Sequence, residues 1–326
     1  MRTYKPTPFL LMQKAMIFII TILSITACGM NKSEKERLVK EADQYYTDKR
    51  YQLALNTYEK VLTIDPTDDI IWMIRGKLLH LLKKDDEAIK SLTKSISLHP
   101  TDNRAYGYRA MLYEDKGDFK SALKDVSFAL TENPMDTFFL ITRISVYEKM
   151  KFYELAMADC NKVLSAYPSN ATALYMRGFA NRKLGFNDKA ITDYTDAIAA
   201  DPKRLDAYNN RAFIFSEENK YDLAIADYDN IIKLAEPRDT QILAFAYNNR
   251  GYTYDKLGKR DAAMEDINRS MEIYPQNSYA YKNRALIYIE MNETAKACAD
   301  IEKALQLGYT EKYGEEVLML QKKHCR

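Results

Sequence analysis

Residues 171–202 read ATALYMRGFANRKLGFNDKAITDYTDAIAADP. With Ala171 as position 1, Gly178 falls at position 8, Gly185 at 15, Ala190 at 20, Tyr194 and Ala197 at 24 and 27, and Pro202 at 32. Two apolar stripes at i, i+3/i+4 spacing, separated by a glycine turn and closed by a proline, describe a helical hairpin. The arrangement recurs along the chain. Pro66, Pro100, Pro134, Pro168 and Pro202 stand 34 residues apart, and Pro237 and Pro275 follow at intervals of 35 and 38. A fixed period in this range marks a repeat architecture. One continuous stack is therefore expected, not the two globular domains that 326 residues suggest by length.

Aligning the prolines at position 32 gives eight units, beginning at Lys35, Asp69, Asn103, Thr137, Ala171, Leu205, Ala244 and Ser278. Position 20 is alanine in every unit, and position 8 is small in all but the fourth, which has Ile144. Position 11 is bulky except for Asn181. Small residues at 8 and 20 let the two helices approach closely, and the bulky residue at 11 fills the adjacent gap. Gly117, Gly185 and Gly258 share position 15, where a left-handed residue ends the first helix. The proline stops the second. Composition agrees: 10 Gly and 9 Pro compare with about 23 and 16 at average usage, too few for a turn-rich β fold. With 47% hydrophobic residues, wholesale disorder is excluded as well.

This pattern resembles the tetratricopeptide repeat (TPR) family, whose signature Trp72 and Gly76 in the second unit match most fully. The resemblance covers residues 35–311. It implies an all-α, right-handed superhelical solenoid of eight TPR hairpins, followed by a capping helix over 312–326. It also implies a concave groove lined by first helices, mainly through positions 2, 5, 9, 12 and 13. At positions 5 and 9, units five to seven present Tyr175, Phe179, Phe213 and Tyr252 beside Asn209 and Asn248, with Lys282 at position 5 of the last unit. Aromatics with a few polar groups suit an extended peptide or an amphipathic helix; packing against neighbouring helices is the competing use of the same rings. The Lys and Asn pairing that chaperone-tail-binding TPRs carry at positions 5 and 9 of one repeat is absent. The longer interval before Pro275 is expected to lengthen the first helix of unit seven, with Asp239 or Thr240 as its cap and Ile242 and Leu243 overhanging the groove's edge.

Position 7 is arginine in units two to eight, and position 23 is aspartate in units three to eight. In an antiparallel hairpin turning near position 15 these come level. They read either as an Arg–Asp ladder or as a row of guanidiniums for an anionic ligand. The ladder is favoured because each Arg has an acid in register. Arg75, which faces Ser91, is left as the unpaired member and the rung where an external anion is expected.

At the N-terminus, Lys14 precedes the run Ala15–Ala27 (AMIFIITILSITA), which is too short for an ordinary membrane span and has the length of a signal-peptide apolar region. Ile25-Thr26-Ala27-Cys28 resembles a bacterial lipobox, which implies cleavage after residue 27 and lipid on Cys28. Met12 offers an alternative start with a shorter basic lead. A tether of residues 28–34 follows, and Ser33 with Glu36 forms a capping-box pattern. Loss of residues 1–27 removes Arg2, Lys5 and Lys14 and no acid, leaving 45 basic side chains against 46 acidic. No global field then favours nucleic acid, and membrane contact is expected through the acyl chains.

Cys160 occupies core position 24 of unit four. Cys298 opens the second helix of unit eight, and Cys325 ends a segment whose Val317, Leu318 and Leu320 suggest the capping helix. An antiparallel cap brings the two thiols together in an exported, oxidising compartment, so a Cys298–Cys325 disulfide is expected. The closing sequence is also similar to the end module of exported TPR proteins of the Bacteroides type, which supports that pairing. A metal site using His324 is the rival, and it lacks a fourth ligand. The three His are scattered, and no HExxH, phosphate loop or GxSxG elbow occurs. The sequence therefore predicts a non-enzymatic scaffold without cofactor, lipid-anchored in a bacterial envelope at the outer membrane and binding protein or peptide partners. The alternatives are a module capturing glycan or another solute, and a structural subunit of an outer-membrane assembly.

Overall fold

A computed structural model describes residues 32–325. The leader 1–27, Cys28 and the start of the tether lie outside the described residues. Among those described there are eighteen helices and no strand. They gather in two compact units, Met1–Met150 and Lys151–Arg326. The first contains α1 (residues 32–47), α2 (Tyr51–Ile64), α3 (Asp69–Leu81), α4 (Asp85–Leu98), α5 (Asn103–Asp115), α6 (Phe119–Ala129) and α7 (Thr137–Lys149). The second contains α8 (Tyr153–Ala166), α9 (Ala171–Lys183), α10 (Asn187–Ala200), α11 (Leu205–Glu217), α12 (Tyr221–Leu234), α13 (Thr240–Lys256), α14 (Arg260–Ile273), α15 (Ser278–Glu290), α16 (Thr294–Gln306), α17 (Tyr309–Tyr313) and α18 (Glu316–His324). Ser33 already lies within α1, so it does not cap that helix from outside.

Local rules account for the element boundaries. Asp68, Asp102, Asp136 and Asn170 cap the first helices α3, α5, α7 and α9 by accepting from their opening backbone amides. Position 15 has positive φ in each of the eight helical hairpins from α1–α2 to α15–α16, between 58° and 83°, although only three of these residues are glycine. The turn geometry is thus common to every repeat, and the residue chosen for it is not.

The core follows the register. The eight position-20 alanines are fully buried, and the facing position-24 residues, from Tyr58 to Ile301, are at most 1% exposed. A Cβ at Gly178 would stand 2.8 Å from the Tyr194 ring, and one at Gly251 would stand 2.9 Å from Ile267. Glycine at position 8 therefore answers the bulk at position 24. Cys160 is one of these buried position-24 side chains.

The Arg–Asp ladder forms. Arg109 meets Asp125, Arg177 meets Asp193, Arg211 meets Asp227, Arg250 meets Asp266 and Arg284 meets Asp300, at 2.6–2.7 Å. Hydrogen bonds donated to these carboxylates hold Arg177, Arg250 and Arg284 above the ordinary guanidinium pKa, while burial lifts the Asp227 carboxyl despite Arg211. Each Arg also donates through Nη1 to position 25 of the preceding repeat: Thr93, Asn161, Thr195, Asp229 and Asn268. The ladder thereby ties neighbouring hairpins together as well as the two helices of one. This second tie corrects the expectation for Arg75. It contacts Ser91, but Glu59 at position 25 of the preceding repeat accepts from its Nε and Nη2 at 3.0 and 2.8 Å. The rung expected to be open to an anion is already paired.

The C-terminal segment is two helices, because Gly314 (φ 96°) breaks the single cap expected over 312–326. Val317 of α18 is fully buried against Ile301, Ala304 and Tyr309. Cys298 and Cys325 are joined, with their Cα atoms 5.5 Å apart. Bonded to each other, the two sulfurs are not available as metal ligands beside His324.

Candidate partner-binding cleft

Within the second unit, first helices α9, α11, α13 and α15 expose one face. Its larger cleft encloses about 790 Å³ between Tyr175 and Phe179 of α9, Asn209, Asn210 and Phe213 of α11, and Ile242, Phe245 and Asn249 of α13. Residues 238–241 form its lip. They are positioned there because α13 has 17 residues where α9, α11 and α15 have 13. The expected lengthening of this helix is therefore present, and it brings Ile242 to the cleft wall. Asp239 precedes the helix, but its side chain accepts from the Glu236 amide and does not cap the helix.

A smaller hollow of about 260 Å³ adjoins the cleft, sharing Phe213, Asn249 and Tyr279 with it and adding Tyr252, Lys282 and Asn283. Amides run through both. Asn249 donates to Asn209 at 3.4 Å, Asn248 to Asn249 at 3.0 Å and Asn283 to Asn248 at 3.0 Å, while Asn210 donates to the Tyr175 hydroxyl at 3.2 Å. Cations cover part of the aromatic surface: the Arg182 guanidinium lies 4.1 Å from the Phe213 ring centroid, and Lys183 and Lys256 lie 5.3 and 5.0 Å from Phe179 and Tyr252. On the cleft wall, burial pushes the Asp206 carboxyl above the usual carboxylate range, against the pull of Arg204.

Of the residues singled out from sequence, Tyr175, Phe179, Asn209 and Phe213 come together in the larger cleft, and Tyr252 and Lys282 line the hollow. Lys282 is 7% exposed, and its Nζ meets Glu316 of α18 at 3.3 Å. Asn248 is the correction. It is 1% exposed and lies beneath the surface between Asn249 and Asn283, so Asn249 is the α13 amide that reaches the cleft. Sequence reasoning passed over position 6, which carries Asn210, Asn249 and Asn283 in three successive repeats. Spacings of three and four both keep residues on one helix face, so position 6 had as good a claim as position 5.

One further group of metal-type side chains lies in the first unit, where Asp69, His99 and Asp102 approach one another. Asp102 is already occupied there, accepting from Arg104 Nη2 at 2.7 Å and capping α5.

The sequence profile of the tetratricopeptide repeat matches residues 70–102, 246–277 and 278–307, and a second profile of the same repeat matches 175–239. The chain contains tetratricopeptide repeats. Among curated protein sequences none matches the chain. Solved structures are similar to this TPR chain in fold. One is a tetratricopeptide repeat protein from Parabacteroides merdae, at 20% identity and TM-score 0.57, over 89% of this chain and 99% of that one. The APC/C hetero-tetramer Cut9–Hcn1 aligns at 16% identity and TM-score 0.63, over 89% of this chain and 55% of the other. The C-terminal part of a TPR repeat-containing protein from Cytophaga hutchinsonii aligns at 18% identity and TM-score 0.57, over 75% and 98%. At these identities the TPR likeness is one of architecture.

Proposed function

We infer that the protein is a non-enzymatic TPR scaffold, anchored by lipid on Cys28 to the outer membrane of a bacterial envelope, that holds a protein or peptide segment in the cleft of its second unit. The observation that carries the binding role is the 790 Å³ cleft, where half-buried rings, the exposed Phe213 and side-chain amides meet on one helix face. An extended segment needs apolar contact for its side chains and hydrogen-bonding groups for its backbone, and this surface supplies both. The anchoring rests on the Ala15–Cys28 stretch, and the non-enzymatic reading on repeats that occupy residues 35–311 without a catalytic motif.

Crosslinking and affinity capture from membranes test the cleft. A stoichiometric partner is expected with the unaltered protein and is expected to be lost when Phe179→Ala and Phe213→Ala are combined. Retention of the partner by that double variant would overturn the assignment and move binding to another face, as a structural subunit would have it. Sugar binding by the purified protein in place of a polypeptide partner would favour solute capture.

A further inference from the structure

The first unit holds a separate concave feature, sharing no residue with the cleft. A socket of about 170 Å³ lies among α1, α3, α5 and α7, with buried Leu92 of α4 as its floor. The floor is within reach because position 8 of α3 is Gly76; a Cβ there would stand 2.7 Å from Leu92 Cγ. Tyr46, Tyr108 and Met111 wall the socket, and Leu81 and Phe138 stand at its lip, 42% and 49% exposed. The wall residues belong to positions 12, 6 and 9 of their repeats, and Phe138 to position 2. The second unit uses the same face for its cleft.

The chemistry of the socket differs from that of the cleft. No amide and no acid line it. Besides the hydroxyls of Tyr46 and Tyr108, its polar groups are Lys77 and His80, and His80 Nδ1 is engaged with Asp85 at 2.8 Å. Lys77 lies with its Nζ 4.6 Å from the Tyr108 ring centroid and forms no ion pair among the described residues. An apolar cavity of about 150 Å³ takes up a benzene-sized group, and single apolar anchors seated in such pockets dominate many interfaces. A carboxylate beside the anchor would find Lys77 at the lip with no competing acid among the lining residues.

We propose that this socket is a second binding site, which takes one leucine-, methionine- or phenylalanine-sized side chain of a partner polypeptide that has an acidic residue next to that anchor. Charge complementarity with Lys77 selects the acidic neighbour, and the size of the socket selects one side chain.

The test uses the full chain carrying ¹³C on its methionine methyls, with the Met111 signal assigned through Met111→Leu. The probes are three peptides: acetyl-Gly-Leu-Glu-Gly-amide, the same peptide with Ala for Leu, and the same peptide with Lys for Glu. The Leu-Glu peptide is expected to shift the Met111 methyl and to saturate at roughly fiftyfold lower concentration than the Ala-Glu peptide, as three fewer buried carbons imply. It is also expected to bind a few-fold more tightly than the Leu-Lys peptide. Lys77→Glu, a change at the lip, reverses the Glu/Lys preference and leaves the melting curve in place. A Met111 methyl unmoved by all three peptides would overturn the proposal. So would equal saturation by the Leu-Glu and Ala-Glu peptides, or a charge preference unchanged by Lys77→Glu. The outcome is independent of the cleft, because Phe179 and Phe213 take no part in it.

Discussion

Lys83 and Gly117 occupy the same turn position in successive repeats, at φ 62° and 77°. A side chain in the left-handed region costs roughly 1 kcal/mol, which glycine avoids. Nothing lies within 4 Å of a Cβ built on Gly117, so Gly117→Ala meets backbone strain alone. Gly117→Ala is expected to destabilise its hairpin by about 1 kcal/mol, and Lys83→Gly to stabilise its own by about half that, since glycine loses more freedom on folding. Faster amide exchange in α5 and α6 for the first, and slower exchange in α3 and α4 for the second, are the readouts; opposite signs would refute the argument. The three glycines announced this turn from sequence. The five non-glycine residues did not, because the conformation is imposed on them by helices that must pack.

Glu148 on α7 shows the converse, a side chain whose surroundings no local pattern reveals. Its Oε1 is buried without a hydrogen-bond partner, and burial pushes its carboxyl from the usual 4.5 up to about 8, with Lys149 opposing and Glu114 adding to the shift. The folded chain therefore keeps a proton that the unfolded chain releases near pH 4.5. The stability this carboxyl contributes is fully present below that pH and declines as pH rises toward 8, by an amount on the order of 5 kcal/mol. Glu148→Gln is expected to flatten this decline and to raise the melting temperature at pH 8.5 more than at pH 5. An unchanged pH profile would count against it.

Among the elements, α13 and α18 depart from the repeat. The interval of 38 residues between prolines foretold the lengthening of α13, because helices extend in whole residues along a fixed axis. That the added turn would form the lip of the cleft depended on how α13 lies against α11. The cap was legible as an apolar segment ending in cysteine, but its break at Gly314 was not. The Cys298–Cys325 bond closes a separation of 27 residues, and a loop of that size stabilises by about 3.5 kcal/mol in the chain-entropy account. Cys325→Ser is expected to speed amide exchange across Glu316–His324 while leaving α2 unaffected. Detection of two free thiols at these positions in the unreduced protein would exclude the bond.

For the molecule as a whole, charge is close to balanced, with 48 basic side chains against 46 acidic, and no described helix is long and apolar enough to cross a membrane. Attachment in the proposed function therefore rests on Cys28. Cys28→Ser is expected to abolish acyl labelling and to move the protein from the membrane to the soluble fraction; a variant that stays bound and keeps its leader would show that the leader itself is the anchor.

The sequence by itself determined the register: a 34-residue period, hairpin turns at position 15, alanine at 20, and an arginine and an aspartate placed in register at positions 7 and 23. These follow from helix propensity, turn chemistry and pairing within one hairpin, all of which are local. Only the tertiary structure decided that Arg75 is satisfied by Glu59 of the preceding hairpin and that Asn249, not Asn248, faces the cleft. Adjacent residues on a helix point about 100° apart, so the packing of the next hairpin settles which of two neighbouring amides is buried and which is presented to a partner.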